Sequence, residues 1–333
     1  MLRRPSDLLV SAACMLSLAA TPLSAQTGTT GGEWAVYGGD AGHTRYAPLD
    51  QIDATNVGDL EIAWRWSGRN YGPNPRTSSQ TTPLVVDGVM YATAGRTRNV
   101  VAIDPGTGET LWMWRPDEGD RLVGAPRVNP GRGVSYWTDG AGDERIFVVT
   151  PGYHMAALDA ETGRQIPTFG TDGIVDLMEN MRERSGTPIQ GTIGASSPAV
   201  VVGDVVIVGS ALHVGYRPPS RANTPGDVRG FDARSGELLR TWKPVPEFGE
   251  EGYETWQNES ATYTGNSGAW APISFDAEAG YVYLPTEAPT GDFYGGHRHG
   301  DNLFSTSLVC LDARTGERVW HFQTIHHDIW DWD

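Results

Sequence analysis

Basic residues are scarce in this chain, and lysine is almost absent. The 333 residues include 25 Lys and Arg against 41 Asp and Glu, for a formal net charge of −16, and Lys243 is the single lysine. Such a chain could not neutralise a phosphate backbone over an extended face, which argues against a nucleic-acid scaffold. The 39% apolar and 10% aromatic residues can bury a large core, which argues against disorder.

Long apolar runs are also lacking, apart from residues 8–20. Two arginines precede this run and small residues ending at Ala25 follow it, which is the layout of a secretory signal peptide. We therefore predict a signal peptide over residues 1–25 and a mature domain over residues 26–333 without a transmembrane segment. The expected location is periplasmic or secreted.

Cysteine is rare, whereas glycine and proline are abundant. Of the 2 cysteines, Cys14 lies inside the predicted signal peptide, so the mature chain would keep only Cys310 and form no internal disulfide. The 42 glycines and 22 prolines interrupt the chain too often for a helical protein and favour short strands joined by turns. One helix is predicted, over residues 173–184, as a short surface excursion.

One turn pattern recurs four times along the chain. An Asp at the end of an apolar stretch is followed three residues later by Thr or Ser and four residues later by Gly. The four turns begin at Asp104, Asp159, Asp232 and Asp312. The Asp and Thr side chains accept hydrogen bonds from the backbone ahead, and Gly takes the positive φ that closes a hairpin. Trp112 and Trp320, which follow two of the turns, would wedge between neighbouring units.

A second apolar hairpin precedes the turn in three of the four units. These hairpins cover residues 82–91, 197–207 and 271–283, and residues 145–150 supply the matching strand in the remaining unit. Two hairpins make a four-stranded blade, so the repeat predicts an all-β fold, a β-propeller. Long insertions at 211–228 and 286–307 should emerge on one face, which is usually the binding face.

Three polar clusters could take part in chemistry, and each has a plainer interpretation. Two histidine pairs, in segments 297–299 and 326–327, could bind zinc or be exposed loop residues. Three carboxylates alternate with two tryptophans over residues 328–333. In a dry aromatic setting they could bind a hard cation or act as a general base, and otherwise they form a frayed acidic tail. Trp270 could be an ordinary core aromatic or a platform for a planar ligand.

Five longer motifs stand out along the chain. They are Trp34-Ala-Val-Tyr-Gly-Gly-Asp, Arg132-Gly-Val-Ser-Tyr-Trp, Arg229-Gly-Phe-Asp, Gly268-Ala-Trp-Ala-Pro and His326-His-Asp-Ile-Trp-Asp. These motifs resemble those of the pyrroloquinoline-quinone (PQQ)-dependent dehydrogenases, most closely the membrane-associated or periplasmic glucose dehydrogenase branch. The likeness covers essentially the whole mature chain in order. It implies an eight-bladed propeller with the quinone and a Ca²⁺-type cation at the centre of one face.

The resemblance implies roles for individual residues. Asp331 matches the catalytic carboxylate that takes the proton of the substrate hydroxyl beside the metal, and Trp270 matches the indole on which the quinone stacks. Arg132 matches an arginine that reaches the cofactor. The other cofactor contacts implied by the resemblance are Gln80, Ser196, Ser197 and Ser210, and the implied metal ligands are Asp331 and Glu287.

These roles predict an enzyme that oxidises a hydroxyl of a sugar or an alcohol by hydride transfer to PQQ. Ca²⁺ or Mg²⁺ would polarise the quinone, and another quinone or a cytochrome would accept the electrons. The rival interpretation is a non-catalytic propeller, either a scaffold or envelope assembly protein, and a further alternative is an inactive truncated fragment. Trp270, Arg132 and Asp331 on one face would favour the enzyme.

The sequence departs from the family pattern at several positions. Pro126 and Arg127 occupy the place of two adjacent cysteines that cap the quinone in the alcohol-oxidising branch, and Val128 stands near the capping histidine of the glucose branch. Glu287 stands near an Asn that many relatives use as a metal ligand. At roughly 40–50 residues per blade, the mature chain supplies about four to five blades. We therefore expect an incomplete ring, the N-terminal part of a propeller that a C-terminal segment completes.

Overall fold

Four antiparallel sheets of four strands each follow one another along the chain. The computed structural model describes residues 28–71, 79–184, 187–213 and 221–332. Sheet 1 consists of β1 Leu84–Val86, β2 Val89–Ala94, β3 Asn99–Ile103 and β4 Thr110–Trp114, and sheet 2 of β5 Ser135–Thr138, β6 Glu144–Val149, β7 His154–Asp159 and β8 Ile174–Asp176. A separate two-stranded ribbon is formed by β9 Ile193–Gly194 and β12 Ala211–Leu212. Sheet 3 consists of β10 Val200–Val202, β11 Val205–Val208, β13 Val228–Asp232 and β14 Leu238–Trp242, and sheet 4 of β15 Ser274–Asp276, β16 Tyr281–Pro285, β17 Ser307–Asp312 and β18 Arg318–Gln323. The predicted all-β architecture of four-stranded blades is confirmed, and the ring is not closed.

The helices in the described ranges are short and lie in the connections. They are α1 Asp120–Val123 and the 3₁₀ turns Val57–Asp59, Gly68–Tyr71, Tyr253–Thr255 and Ser260–Thr262. The helix predicted over residues 173–184 is wrong, because Ile174–Asp176 is the edge strand β8, paired with β7 from His154 to Ala156. Among the described residues, no helix has the length and apolar character needed to cross a bilayer.

The four predicted Asp-Gly turns are confirmed, and in each of them the Asp side chain accepts a hydrogen bond from the backbone N–H three residues ahead. In the first turn, Asp104 Oδ1 accepts bonds from the backbone N–H groups of Gly106 and Thr107 at 2.8 and 2.9 Å, and Gly108 has a φ of 75°. The corresponding carboxylates at Asp159, Asp232 and Asp312 accept bonds in the same way. In sheets 1, 3 and 4 the turn joins the third strand directly to the fourth, whereas a longer excursion precedes β8.

The apolar core lies between successive sheets. Phe147 and Met155 of sheet 2 belong to one buried cluster with Val206 and Phe231 of sheet 3. Similar clusters join sheet 1 to sheet 2 and sheet 3 to sheet 4. Burying each such side chain contributes roughly 1.5–3 kcal/mol, so the sheets are held together face to face in sequence order.

Tryptophans from one unit pack on the turn of the next, as predicted for Trp112. Its indole N–H donates to the carbonyl of Ala160 at 3.0 Å, and a Cβ on Gly163 would overlap its ring. Trp64 packs in the same way on the turn of sheet 1. Trp320 holds the equivalent position in sheet 4, where its side chain remains 39% exposed.

The four sheets share one end, called here the upper end, at which each first strand begins and each second strand finishes. The antiparallel pairing of first and second strands fixes this arrangement within each sheet. Between sheets, the N–H of Thr82 donates to the carbonyl of Arg132 at 2.9 Å, and the N–H of Arg132 donates to the carbonyl of Ser196 at 3.0 Å. The long insertions of sheets 3 and 4 both leave at the upper end. The Asp-Gly turns lie at the opposite, lower end.

The N-terminal segment runs along the first strands of the sheets. Trp34 exchanges both backbone hydrogen bonds with Val85 of β1, at 2.8 and 3.1 Å. The carbonyl of Ala41 accepts a bond from the N–H of Phe275 in β15 at 3.1 Å. Tyr37, between these two points, lines a cavity together with residues of β5 and β10. The segment therefore links sheet 1 to sheet 4.

Candidate functional site

Arg132 and Trp270 meet at the upper end. Arg132 lies just before β5 and Trp270 lies before β15, in different sheets and far apart in the chain. The guanidinium carbon of Arg132 is 5.0 Å from the centroid of the Trp270 ring, which is the distance of a cation–π contact. A flat indole and a positive charge are thus presented together.

Arg132 and Trp270 belong to a row of neighbouring chain segments, each of which leads into the first strand of its sheet. Hydrogen bonds join these segments to one another. The hydroxyl of Ser197 donates to the carbonyl of Trp270 at 2.7 Å, and the carbonyl of the buried Ser196 accepts the N–H of Arg132. Gln80 is exposed and lies two residues before Thr82, whose N–H donates to the carbonyl of Arg132. Four predicted cofactor contacts therefore lie in one connected row, and Gln80 lies at its margin.

Ser210 lies beneath the Trp270 segment at the end of β11. It is fully buried, and a Cβ on Gly268 would lie 2.5 Å from its Oγ, so only glycine allows this close approach. Its Oγ has no hydrogen-bond partner among the described residues, and the same is true of Arg132 Nη1 and Arg127 Nε. Buried donors without acceptors are unfavourable, so this part of the site suits a ligand rich in acceptor oxygens.

Glu287 is connected to the Trp270 segment and to the C-terminal segment. Its side chain is buried, and its N–H donates to the carbonyl of Gly268 at 2.9 Å. Its carbonyl accepts the N–H of Thr306 at 3.2 Å, and the Thr306 hydroxyl donates to Asp328 Oδ2 at 3.0 Å. Two predicted metal ligands, Glu287 and Asp331, therefore stand on segments joined through Thr306.

Asp328 organises the chain around Asp331. Its buried carboxylate accepts the N–H groups of Trp330 and Trp332 at 2.8 and 3.1 Å, and its carbonyl accepts a bond from the buried Arg298 guanidinium. Asp331 itself is half-buried with a φ of 58°. A tight turn stabilised by a carboxylate thus presents Asp331.

In the described residues, the two tryptophans of the C-terminal segment do not enclose its carboxylates. Trp330 and Trp332 are 68% and 64% exposed, because the chain turns around Asp328 and directs both indoles outward. The buried carboxylate of the segment is that of Asp328, at 2% exposure. Asp333 lies outside the described residues.

Burial, more than the neighbouring charges, lowers the pKa of Arg132. Burial lowers the pKa of its guanidinium, and the positive charge of Arg127 lowers it further, while Tyr37 acts in the opposite direction. A ligand carboxylate would relieve this effect, because an opposite charge favours the protonated guanidinium. Electrostatics here favours an anionic ligand.

The described residues do not support a zinc site at the histidines. The described residues contain no cluster of three or more His, Cys, Asp or Glu side chains arranged to hold a metal ion. His327 Nδ1 lies 2.8 Å from the carbonyl of Gly300, and the carbonyl of His297 accepts a bond from the hydroxyl of Tyr263. A hard cation held by Glu287 and Asp331 would therefore need further oxygen ligands from a bound molecule or from water.

Arg98 and Arg127 are two residues near Arg132 that the sequence did not single out as site residues. Arg98 is 2% exposed and donates to three backbone carbonyls, two in the segment that leads to Arg132 and one at the end of β6. Arg127 donates to the carbonyl of Leu212 at 2.8 Å. Arg127 could have been found from the sequence, because it occupies the family's ring-capping position. Arg98 could not, because it lies in an ordinary loop between apolar strands.

Residues 34–333 match the family model for the β-propeller domain of PQQ-dependent glucose/ethanol/alcohol dehydrogenases. The large subunit of glycerol dehydrogenase from Gluconobacter oxydans (strain 621H) is 32% identical over 312 residues, which cover 91% of this chain and 40% of that protein. Quinoprotein glucose dehydrogenase A from Acinetobacter calcoaceticus is 30% identical over 329 residues, which cover 92% of this chain and 39% of that protein. The chain thus spans about 40% of the length of these curated relatives.

Solved structures of similar proteins agree with the fold. The quinohemoprotein alcohol dehydrogenase from Comamonas testosteroni superposes with a TM-score of 0.71 at 28% identity, over 90% of this chain and 42% of that one. A europium-containing methanol dehydrogenase superposes with a TM-score of 0.70 at 24% identity, over 93% of this chain and 51% of that one. The second match supports the fold alone.

Proposed function

Because the chain belongs to the glucose/ethanol/alcohol dehydrogenase β-propeller family, we propose that it forms the cofactor-binding part of an exported quinoprotein dehydrogenase. Its upper end would bind PQQ together with Ca²⁺ or Mg²⁺, and the substrate would be a sugar or an alcohol. The observation that carries the proposal is the Arg132 guanidinium 5.0 Å from the Trp270 ring, within a row of hydrogen-bonded segments.

The described residues fit such a cofactor in three respects. Trp270 offers a flat indole to a planar tricyclic ring. Arg132 Nη1 and Ser210 Oγ are buried donors without acceptors in the described part of the chain, and the cofactor's carboxylates would satisfy them. Glu287 and Asp331 offer hard carboxylate oxygens of the kind that Ca²⁺ and Mg²⁺ prefer.

Each side chain at the upper end would have a separate role in the oxidation. When bound, PQQ supplies the acceptor for the hydride that leaves the carbinol carbon of the substrate. The Asp331 carboxylate would accept the proton of the substrate hydroxyl, so the substrate becomes a carbonyl compound. Asp328 would keep Asp331 in place through the bonds to Trp330 and Trp332. Arg132 would neutralise carboxylate charge, and Glu287 would help to hold the cation.

The same proposal includes a C-terminal segment that completes the propeller. The outer strand of sheet 4 leaves Trp320 and Phe322 39% and 66% exposed, whereas Trp112 of sheet 1 packs against sheet 2. A further blade would cover this apolar face, as each of the other sheets is covered by its successor. A quinone or a cytochrome would then take the electrons from the completed enzyme in the periplasm.

Cofactor binding by Trp270→Phe protein tests the proposal. Wild type should bind PQQ in the presence of Ca²⁺ and, with the following part of the propeller supplied, reduce a dye with sugars or alcohols. The Trp270→Phe variant should bind PQQ at least about tenfold more weakly, because the smaller ring loses stacking area. Fluorescence titration measures both affinities.

Trp137 supplies the matched control for this substitution. It also carries arginines over its ring, Arg145 at 5.4 Å and Arg234 at 4.8 Å, but it lies toward the lower end. Trp137→Phe should leave PQQ affinity unchanged. Equal affinities of wild type and Trp270→Phe, or a complete absence of PQQ binding by wild type with its downstream part, would refute the proposed function.

A further inference from the structure

Three arginines lie close together near the upper end, and within the described ranges none of them forms an ion pair with a carboxylate. Arg98 is 2% exposed, and Arg127 and Arg132 are half-buried. Burial is the largest cause that lowers the pKa of Arg98 and of Arg132. The charge of Glu118 partly opposes it at Arg98 and Tyr37 partly opposes it at Arg132, whereas the arginines lower each other's pKa, Arg132 that of Arg98 and Arg127 that of Arg132. Among the described residues, the ion pairs include none of these three guanidiniums. Partly buried positive charge without an ion-pair partner is unfavourable, which favours an anion beside Arg127 and Arg132.

Arg98 fixes the backbone that carries the other two arginines. Its guanidinium donates to the carbonyls of Arg127 at 3.1 Å, of Asn129 at 3.2 Å and of Val149 at 2.7 Å. Gly131 lies directly against it, since a Cβ there would come within 2.6 Å of Arg98 Nε. With a φ of 69°, Gly131 also has a backbone conformation that favours glycine. The segment from 127 to 132 is therefore built around the Arg98 side chain.

Arg127 has a hydrogen-bonding group that the described residues do not satisfy. Its Nη2 donates to the carbonyl of Leu212 at 2.8 Å, which anchors the guanidinium to the ribbon beside Ser210. Its Nε is buried and has no acceptor in the described part of the chain, like Nη1 of Arg132. Arg127 and Arg132 thus each have one N–H donor that an acceptor oxygen of a bound ligand could satisfy.

We propose that Arg127 is a second carboxylate-binding residue of the upper-end site and that Arg98 is the positioning residue for Arg127 and Arg132. The identity of the anion rests on the proposed function, in which PQQ supplies the carboxylates. A planar guanidinium fork matches a carboxylate, so two of them on one short segment select a ligand with several carboxylates over a neutral one.

Binding of two polycarboxylates to Arg127 variants tests the ligand role. Isothermal titration calorimetry with PQQ and Ca²⁺, and separately with benzene-1,3,5-tricarboxylate, should show that Arg127→Gln weakens both about tenfold to a hundredfold, because a charged hydrogen-bond donor is lost. Arg127→Lys should recover part of the affinity. Arg145→Gln is the matched control, since Arg145 is 5% exposed and binds the carbonyls of Ala233 and Arg234 at the lower end.

The outcomes separate this inference from the proposed function. Binding of benzene-1,3,5-tricarboxylate that depends on Arg127, without any binding of PQQ, would support the anion site and count against the quinoprotein function. PQQ bound equally by wild type and Arg127→Gln would overturn the inference and leave the function standing. Failure of wild type to bind either polycarboxylate would also overturn it.

Amide hydrogen exchange tests the positioning role of Arg98 without any ligand. In Arg98→Met, or in Arg98→Lys if the first variant folds poorly, the amides of Gly131, Arg132 and Thr82 should exchange faster than in wild type. In Arg145→Met these three amides should keep their protection, even if global stability falls equally. Unchanged exchange at these amides in both Arg98 variants would contradict the positioning role.

Discussion

Gly163 is a residue at which one sheet closely approaches the next. Its φ is 70°, and a Cβ there would overlap the Trp112 ring that packs on the turn. We expect Gly163→Ala to lower the free energy of unfolding by about 2–4 kcal/mol, because backbone strain and overlap with Trp112 add together. Urea denaturation followed by fluorescence measures this loss.

Gly140 separates the two causes. Its φ is 71°, nearly that of Gly163, but nothing lies within 4 Å of the Cβ that alanine would add. Gly140→Ala should therefore cost only the strain, about 1–2 kcal/mol. If the two variants lost the same stability, the tryptophan contact would contribute nothing and the account of blade packing would be wrong.

The sequence predicted single residues well where a local motif carried them. The four Asp-Gly turns follow from hydrogen bonds within five residues, so composition and spacing were sufficient. Trp270 and Arg132 were implied by family motifs. Arg98 could not be found, because its partners are backbone carbonyls at 127, 129 and 149 that only the fold brings near.

Between elements, a buried carboxylate joins the segment before α1 to the loop between β6 and β7. Glu118 accepts bonds from the N–H of Gly152 and from the hydroxyl of Thr150, and its Oε1 lies 2.9 Å from His154 Nδ1. Burial alone would raise the pKa of Glu118, but the bonds to His154, Thr150 and Gly152 outweigh it and lower the pKa. The ionised form therefore stabilises this junction.

The direction of this shift predicts a pH dependence. A carboxyl whose pKa is lower in the folded state contributes stability above its unfolded pKa, and that contribution disappears as the pH falls through the folded pKa, which lies below the ordinary glutamate pKa. Urea midpoints should show wild type more stable than Glu118→Gln at pH 7, with the difference shrinking toward pH 3. Glu109→Gln, at an exposed turn position, should match wild type throughout. A difference independent of pH would contradict the role of the ionised carboxylate.

The segment 173–184 shows where a local pattern misleads. Ile174, Leu177, Met178 and Met181 have helical spacing, which favours the predicted helix. In the structure, Ile174–Asp176 pairs with the outer edge of β7 and forms the fourth strand of sheet 2. Leu177 and Met181 pack into the cluster between sheets 2 and 3. Pairing with a distant strand outweighs local propensity, so this element could not be read from its own residues.

At the scale of the whole molecule, the four sheets form part of a propeller whose upper end gathers the candidate site. Residues from the entry of three first strands and from the insertions of sheets 3 and 4 meet there, although they are spread over most of the chain. The repeat predicted this gathering, because equivalent loops of a repeated unit emerge on one face. The outward indoles of Trp330 and Trp332 could not be foreseen, since they depend on how the chain turns around Asp328.

The most direct test of the central claim is a crystal structure of the chain, with the downstream part of its propeller, soaked with PQQ and CaCl₂. We expect a planar ring stacked on Trp270, its carboxylates within hydrogen-bond distance of Arg132 and Ser210, and a cation beside Glu287 and Asp331. PQQ bound away from Trp270, or a cation site lacking both carboxylates, would contradict the central claim.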